Sequence, residues 1–172
     1  MSFKGEYRPS EDTFLLLDIS SDIAGGRVLE MGCGSCFVLS NIAAEFKVGC
    51  DLIRPKSPSQ ELDVVIGDCT APPFRYESFD HVIFNPPYLP SKAIEDVAVD
   101  GGREGIEVPM GFLRASLKLV KSGGTIRFIL SSLSNYHKVE DFINTLGYSF
   151  SRKEKKLFYE RLLGYVLTSS PP

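Results

Sequence analysis

The chain has 172 residues, 43% of them apolar and 24% charged, a balance that suits a soluble globular protein with one sizeable core. No apolar run approaches the roughly 18 residues of a membrane span, and the start Met1-Ser2-Phe3-Lys4-Gly5-Glu6 lacks the apolar core of a secretory signal, so an intracellular protein is expected. A net charge of −3 and a pI near 5.5 argue against duplex binding, which draws on a basic stripe.

Short apolar runs alternate with amphipathic stretches along the chain, the pattern of an α/β protein with a parallel sheet. Pro9-Ser10-Glu11-Asp12 starts a helix running to about Ser20, with Ser10 as cap and two acids in the first turn. Residues 27–30 form a first strand. Ser35 is expected to cap a helix reaching about Glu45. Residues 46–50 form a second strand ending at Asp51, 62–66 a third ending near Asp68, and 80–84 a fourth. Pro109 suits the first turn of a helix to Val120. Gly123-Gly124 is expected to turn into a fifth strand, 125–130. Asn135 can cap a helix ending at Gly147, a left-handed C-cap position. Residues 148–168 read as a closing hairpin, with the basic Arg152-Lys153 and Lys155-Lys156 as its solvated tip, and 169–172 as a frayed tail.

Only residues 52–61 separate the second and third strands, and they include Pro55 and Pro58. A parallel crossover normally takes a dozen or more residues and contains a helix. The 62–66 edge should therefore be thinly covered. Its Leu62, Val64 and Ile66 face one side, Asp63 and Val65 the other.

Four positions along this framework carry chemistry. Glu30-Met31-Gly32-Cys33-Gly34-Ser35 lies between a strand and a helix, where glycines permit a tight turn and let a ligand approach the backbone. The place of a third dinucleotide-type glycine holds Phe37, so a nucleoside without pyrophosphate fits better. Glu30 can meet an amino-acid ammonium, directly or through water. Asp51 can accept both ribose hydroxyls, and Asp68 an adenine amino group. Each acid alone reads as a cap or turn residue; three at consecutive strand ends beside a glycine loop read as a nucleoside site.

Asn85-Pro86-Pro87-Tyr88 follows the fourth strand. Two prolines remove two backbone donors, so the Asn85 side-chain oxygen and the Pro86 carbonyl form a rigid pair of acceptors. An NH₂ group can give one proton to each, which raises electron density on a nitrogen otherwise delocalised into its π system. Tyr88 can stack on a planar substrate. The cofactor is then a sulfonium methyl donor, and positioning does most of the work. Gly101-Gly102-Arg103-Glu104-Gly105 sits in a long loop that reads equally as functional or as a flexible lid. Cys33, Cys36, Cys50 and Cys69 lack the further ligand pair of a tetrahedral site, and they read as small, half-buried thiols in a reducing compartment, with no metal expected.

Three segments resemble the HemK-type methyltransferases that modify a glutamine in translation termination factors: residues 7–17 (Tyr-Arg-Pro-Ser-Glu-Asp-Thr-Phe-Leu-Leu-Leu), Asn85-Pro86-Pro87-Tyr88, and Gly101-Gly102-Arg103-Glu104-Gly105. The first is the most specific, since adenine methyltransferases share the second. The bacterial members carry an extra N-terminal helical domain, so the chain is expected in the short eukaryotic and archaeal branch. That resemblance implies a single class I (Rossmann-like) domain over 1–172. Its sheet would be mainly parallel and seven-stranded, with an antiparallel C-terminal hairpin and helices on both faces. It implies S-adenosylmethionine as cofactor, with Thr13, Glu30, Gly32, Gly34, Asp51, Asp68, Cys69 and Asn85 in its site. Asn85, Pro86, Pro87 and Tyr88 would receive the glutamine of a Gly-Gly-Gln motif in the class I release factor. A small zinc-binding activator subunit would complete a heterodimer, which on physical grounds would cover the edge strand 62–66. A cytoplasmic location is expected, with a nuclear pool allowed and no membrane or direct nucleic-acid partner. Two rival readings are an N6-adenine methyltransferase acting on DNA or RNA, which would have to flip its base, and a noncatalytic cofactor-binding scaffold, which would have no need of Asn85.

Overall fold

The computed structural model describes residues 9–55 and 62–168. Tyr7, Arg8, most of the link between the second and third strands, and the 169–172 tail lie outside the described residues. Seven strands form one sheet: β1 (Arg27–Met31), β2 (Phe46–Asp51), β3 (Asp63–Ile66), β4 (Phe79–Phe84), β5 (Val120–Ser131), β6 (Ser149–Lys156) and β7 (Arg161–Thr168), in the order β3-β2-β1-β4-β5-β7-β6. The first five pair in parallel, and β7 is antiparallel to both β5 and β6. The chain order reverses at β1 and β4, whose carboxyl ends therefore flank the crevice where ligands bind in such sheets.

Alternation along the strands splits the core into two layers. Val28, Ile83 and Ile129 face helices α1 (Glu11–Asp18) and α2 (Phe37–Ser40). Leu29, Val82, Phe84, Ile126 and Phe128 face α3 (Glu107–Leu119) and α4 (Tyr136–Thr145). On the second face Phe84, Phe128 and Tyr165 stack across β4, β5 and β7, with centroids 5.1 and 4.9 Å apart and nearly parallel planes. This ladder fixes the end of β4, where the Asn85 segment begins. The buried Arg127 is neutralised on the first face, donating to the Ile19 carbonyl and pairing with Asp22.

Several expectations need correction. The helix after the glycine loop is a single turn, and its N-cap is Cys36 with φ 59°, not Ser35. Asn41 Nδ2 donates back to the Phe37 carbonyl at 2.7 Å while the Asn41 amide turns to Val38, and Ser40 Oγ adds a second donor, at 2.7 Å, to the Cys36 carbonyl that the Ser40 amide already bonds. Gly123-Gly124 does not start β5 but lies inside it, at a register shift opposite β4; a side chain at Gly124 would meet the Asp80 carbonyl at 2.6 Å. The basic residues sit along β6 rather than at the hairpin tip. Arg152 pairs with Glu140, Lys153 with Asp18 and Lys155 with Glu11. The tip is Leu157-Phe158-Tyr159-Glu160. Asn135 occupies the N-cap of α4, but its side chain reaches Glu104 instead of the helix amides. As expected, Gly147 follows α4 in a left-handed conformation, φ 74°.

Candidate active site

The glycine loop leaves β1 through three left-handed residues, Gly32 (φ 69°), Gly34 (φ 50°) and Cys36 (φ 59°). Gly34 N–H donates to Asp51 Oδ2 at 2.8 Å, and Asp51 Oδ1 accepts from Ile53 N–H at 3.1 Å. Asp51 thus ties the loop to the end of β2. Gly32 N–H is shared between the Cys50 carbonyl, at 2.7 Å, and Cys69 Sγ, at 3.2 Å. Cys69 in turn donates to the Cys50 carbonyl, so this thiol supports the loop from beneath. All four cysteines are free and buried. Asp68 lies exposed beyond β3, with Oδ1 accepting from the Thr70 amide and hydroxyl, both at 2.7 Å.

Glu30 is 4% exposed and accepts from Leu39 N–H at 3.0 Å. Burial pushes its carboxyl well above the usual glutamate range; the Leu39 amide opposes this only in part, and Cys36 and Asp51 add to the rise. A buried acid of this kind, facing a cavity, suits an incoming ammonium.

Asn85 follows β4, and its Oδ1 is buried with no hydrogen-bond partner. Such an orphan is rare, because buried polar groups are nearly always satisfied. Pro86 and Pro87 contribute no N–H. Tyr88 donates its hydroxyl to Asp12 Oδ2 at 2.9 Å. The other Asp12 oxygen accepts from Ser10 Oγ at 2.6 Å and from Thr13 N–H at 2.7 Å. Asp12 therefore fastens the start of α1 to the acceptor segment. As a sequence feature it reads only as a first-turn acid of a helix.

The loop that could have been a mobile lid is a buttress. Leu89 and Asp100 form a bridge, and Gly101 N–H donates to the Leu89 carbonyl at 2.8 Å. A Cβ at Gly101 would meet Tyr88 Cα at 2.8 Å, and one at Gly105 the Tyr88 carbonyl at 2.2 Å. Only glycine lets this segment press against the acceptor backbone. Glu104, itself at φ 60°, pairs with Lys138 at 2.6 Å and accepts from Asn135, which pins the turn to α4.

One cavity of about 940 Å³ brings all of the expected residues together: Thr13, Glu30, Gly32, Gly34, Asp51, Asp68 and Cys69 with Asn85, Pro86, Pro87 and Tyr88. It also takes in residues that strand-end reasoning missed. Leu52 and Ile53 lie beside Asp51, Phe112 comes from α3, and Leu157 and Glu160 come from the hairpin tip. The orphan Asn85 oxygen, the buried acid Glu30 and the unobstructed space over Gly34, where a Cβ would touch nothing within 4 Å, fit a cationic amino-acid nucleoside at one end and an amide at the other.

A seven-stranded sheet with this order, an antiparallel last hairpin and a cavity over its carboxyl ends defines a class I S-adenosylmethionine-dependent methyltransferase. No family model matches the chain. It is 30% identical over 175 residues to a Methanocaldococcus jannaschii protein provisionally named as a protein N5-glutamine methyltransferase, covering 91% of this chain and 88% of the relative. It is 29% identical to the Homo sapiens methyltransferase HEMK2 over 85% of this chain and 81% of that protein. Among solved structures, the E. cuniculi Mtq2-Trm112 complex, described as responsible for methylating the eRF1 translation termination factor, superposes with a TM-score of 0.80 at 24% identity, covering 95% and 98% of the two chains. A Haloferax volcanii complex of the Trm112 methyltransferase activator with a provisionally assigned methyltransferase gives a TM-score of 0.62 at 14% identity, covering 93% and 89%. The chain belongs to the HemK2-type protein N5-glutamine methyltransferases, enzymes that use S-adenosylmethionine.

Proposed function

We propose that the chain methylates N5 of the glutamine in the Gly-Gly-Gln motif of the class I release factor, as the catalytic subunit of a heterodimer with a small zinc-binding activator. The orphan Asn85 Oδ1 carries this reading, because an oxygen kept buried without a donor has a place for one N–H of an amide. S-adenosylmethionine supplies an activated methyl group on a sulfonium centre. Glu30 holds its ammonium, Asp51 the ribose, and Asp68 with Leu52 and Ile53 the adenine side. Thr13, Gly32, Gly34 and Cys69 shape the wall. Asn85 Oδ1 and the Pro86 carbonyl each accept one amide proton, turning the nitrogen lone pair toward the methyl. Pro87 and Tyr88 confine the amide plane, and Asp12 holds Tyr88 in place through its hydroxyl. As the S–CH₃ bond broke and the N–CH₃ bond formed, the positive charge would pass from sulfur to nitrogen and leave with one N–H proton to solvent; that proton is acidic enough that the site needs no strong base, and proximity supplies most of the acceleration.

The relatives support the substrate and partner. The E. cuniculi protein that superposes over 95% of this chain is described as acting on eRF1 in complex with Trm112. The unpaired outer side of β3, among the described residues, offers a strand-addition surface for such an activator. Transfer of tritiated methyl by the activator-bound chain, offered release factor, an adenine-containing oligonucleotide or buffer, tests the reading. Label on release factor that is lost when its motif glutamine is replaced by alanine is the expected result. Label on the oligonucleotide alone would hand the site to adenine, and no label anywhere would favour a scaffold.

A further inference from the structure

The most exposed large apolar side chains in the described structure are Phe158, 89% exposed, and Tyr159, 88% exposed, side by side at the tip of the β6–β7 hairpin. Their rings meet edge to face with centroids 5.0 Å apart. Two adjacent aromatics left in water gain nothing from folding and lower solubility, and such patches mark contact surfaces.

Topology puts this tip at the ligand end of the sheet. β7 runs antiparallel to β5, with Leu162 opposite Ser131, the last residue of β5. The β6–β7 connection therefore stands over the carboxyl ends of the parallel strands. The tip is also anchored there. Leu157 N–H donates to the Glu160 carbonyl at 2.8 Å, closing the turn, and Ser131 Oγ donates to the Glu160 carboxylate. Leu157 packs on the α1–α2 layer of the core. Leu157 and Glu160 both line the cavity that holds Asn85, while Phe158 and Tyr159 project outward between them. Ile94, 40% exposed, lines the same cavity from the 89–100 segment.

We infer that Phe158 and Tyr159 form a docking platform for the main chain of the protein substrate on either side of its target glutamine; this rests on the glutamine-methylating reading above. A glutamine side chain is short. With its amide at Asn85, its backbone must stay at the cavity mouth, where the tip stands. Residues without side chains beside the glutamine leave peptide planes open, and aromatic faces cover such planes well at low entropic cost, because each ring has only two rotatable bonds. The edge proposed above for the activator, β3, is at the opposite side of the sheet from β6. The platform thus serves substrate, and it accounts for an enzyme that acts on a folded protein rather than on free glutamine.

The test compares wild type with the Phe158→Ala, Tyr159→Ala double variant, each bound to the activator, using full-length release factor and tritiated S-adenosylmethionine. The variant's KM for release factor should rise about ten-fold or more, the scale of losing an interface aromatic anchor. Its kcat, cofactor affinity by calorimetry and melting temperature should stay at wild-type values, since neither ring enters the core. The Phe158→Tyr, Tyr159→Phe exchange should keep KM near wild type. An unchanged KM in the alanine variant overturns the platform while leaving the function standing. A wild-type dimer of heterodimers that the alanine variant turns into single heterodimers, with KM unchanged, would assign the tip to self-association and overturn it too. Absence of transfer by the wild type would instead overturn the substrate reading, and the platform with it.

Discussion

No protein group donates to the buried Asn85 Oδ1, which sits beside two prolines, so the donor such an oxygen needs, one whose loss costs about 1–3 kcal/mol, comes from the cavity side. Asn85→Ala should therefore separate catalysis from folding. Turnover should fall by about two orders of magnitude or more, the scale of losing one preorganised polar contact in an active site, with cofactor affinity near wild type and a melting temperature that is equal or higher. Single-turnover kinetics with calorimetry checks both halves; near-normal turnover would remove Asn85 from the chemistry. Glu30 makes a pH-dependent case. Its folded-state pKa is raised by burial, so the folded chain holds that proton more tightly than the unfolded chain does. Its contribution to stability is full below the unfolded glutamate pKa and is lost as pH rises toward the folded value. An ammonium bound at Glu30 favours the carboxylate, so cofactor binding should expel a proton and tighten as pH rises across that window. Calorimetry in buffers of different ionisation enthalpy should show the proton release, and Glu30→Gln should abolish it. An equal pH dependence in that variant would place the ammonium elsewhere.

Elements, not single residues, decide whether the acceptor segment keeps its shape. Phe84, stacked on Phe128, fixes it from β4, and the 101–105 turn presses on it from the other side. Gly105→Ala combines a side chain at φ 68° with a clash against the Tyr88 carbonyl. The strain should cost about 1–3 kcal/mol and displace Tyr88, lowering the melting temperature and kcat together while the cofactor binds normally. Loss of cofactor affinity as large as the loss of kcat would show that the turn supports the whole cavity instead. The elements also explain which parts of the site could be read from the chain. Strands with Val, Ile and Leu runs and an acid at each end announce themselves by composition and position, and so do Glu30, Asp51 and Asp68. The α2 turn did not, because the Asn41 side chain takes the Phe37 carbonyl while the Asn41 amide turns to Val38, which ends the helix. Asp12 and Tyr88 are joined across 76 positions, and the 101–105 glycines act through contacts with Tyr88. No local pattern encodes pairings of that range.

Across the whole molecule, the two sheet edges are finished differently. β6 carries Arg152, Lys153, Glu154, Lys155 and Lys156, with ion pairs to α1 and α4, the charged edge that discourages further strand pairing. β3 is four residues long with one charge, Asp63, and ends on Ile66, which is 49% exposed. Residues 52–55, which follow β2, are not helical, and among the described residues no strand pairs with its outer side. Val64 and Val65 are packed against opposite core layers, so charging either would threaten the fold itself. Ile66 is the better probe of the proposed activator interface. Ile66 belongs to neither core layer, and Ile66→Lys adds a second charge to this edge. A stable interface of the usual kind removes about 1,200–2,000 Å² of surface, and a charge within it should weaken the heterodimer about ten-fold or more. The lone variant should be at least as soluble and as thermostable as the lone wild type, because an exposed apolar group has gone. Its methyl transfer to release factor should fall with activator occupancy and recover at high activator concentration. Size-exclusion chromatography with titrated activator reads the affinity, and hydrogen exchange of residues 62–66 reads the location. Wild-type affinity in the variant, or unaltered exchange of 62–66 on adding activator, would move the partner to another face.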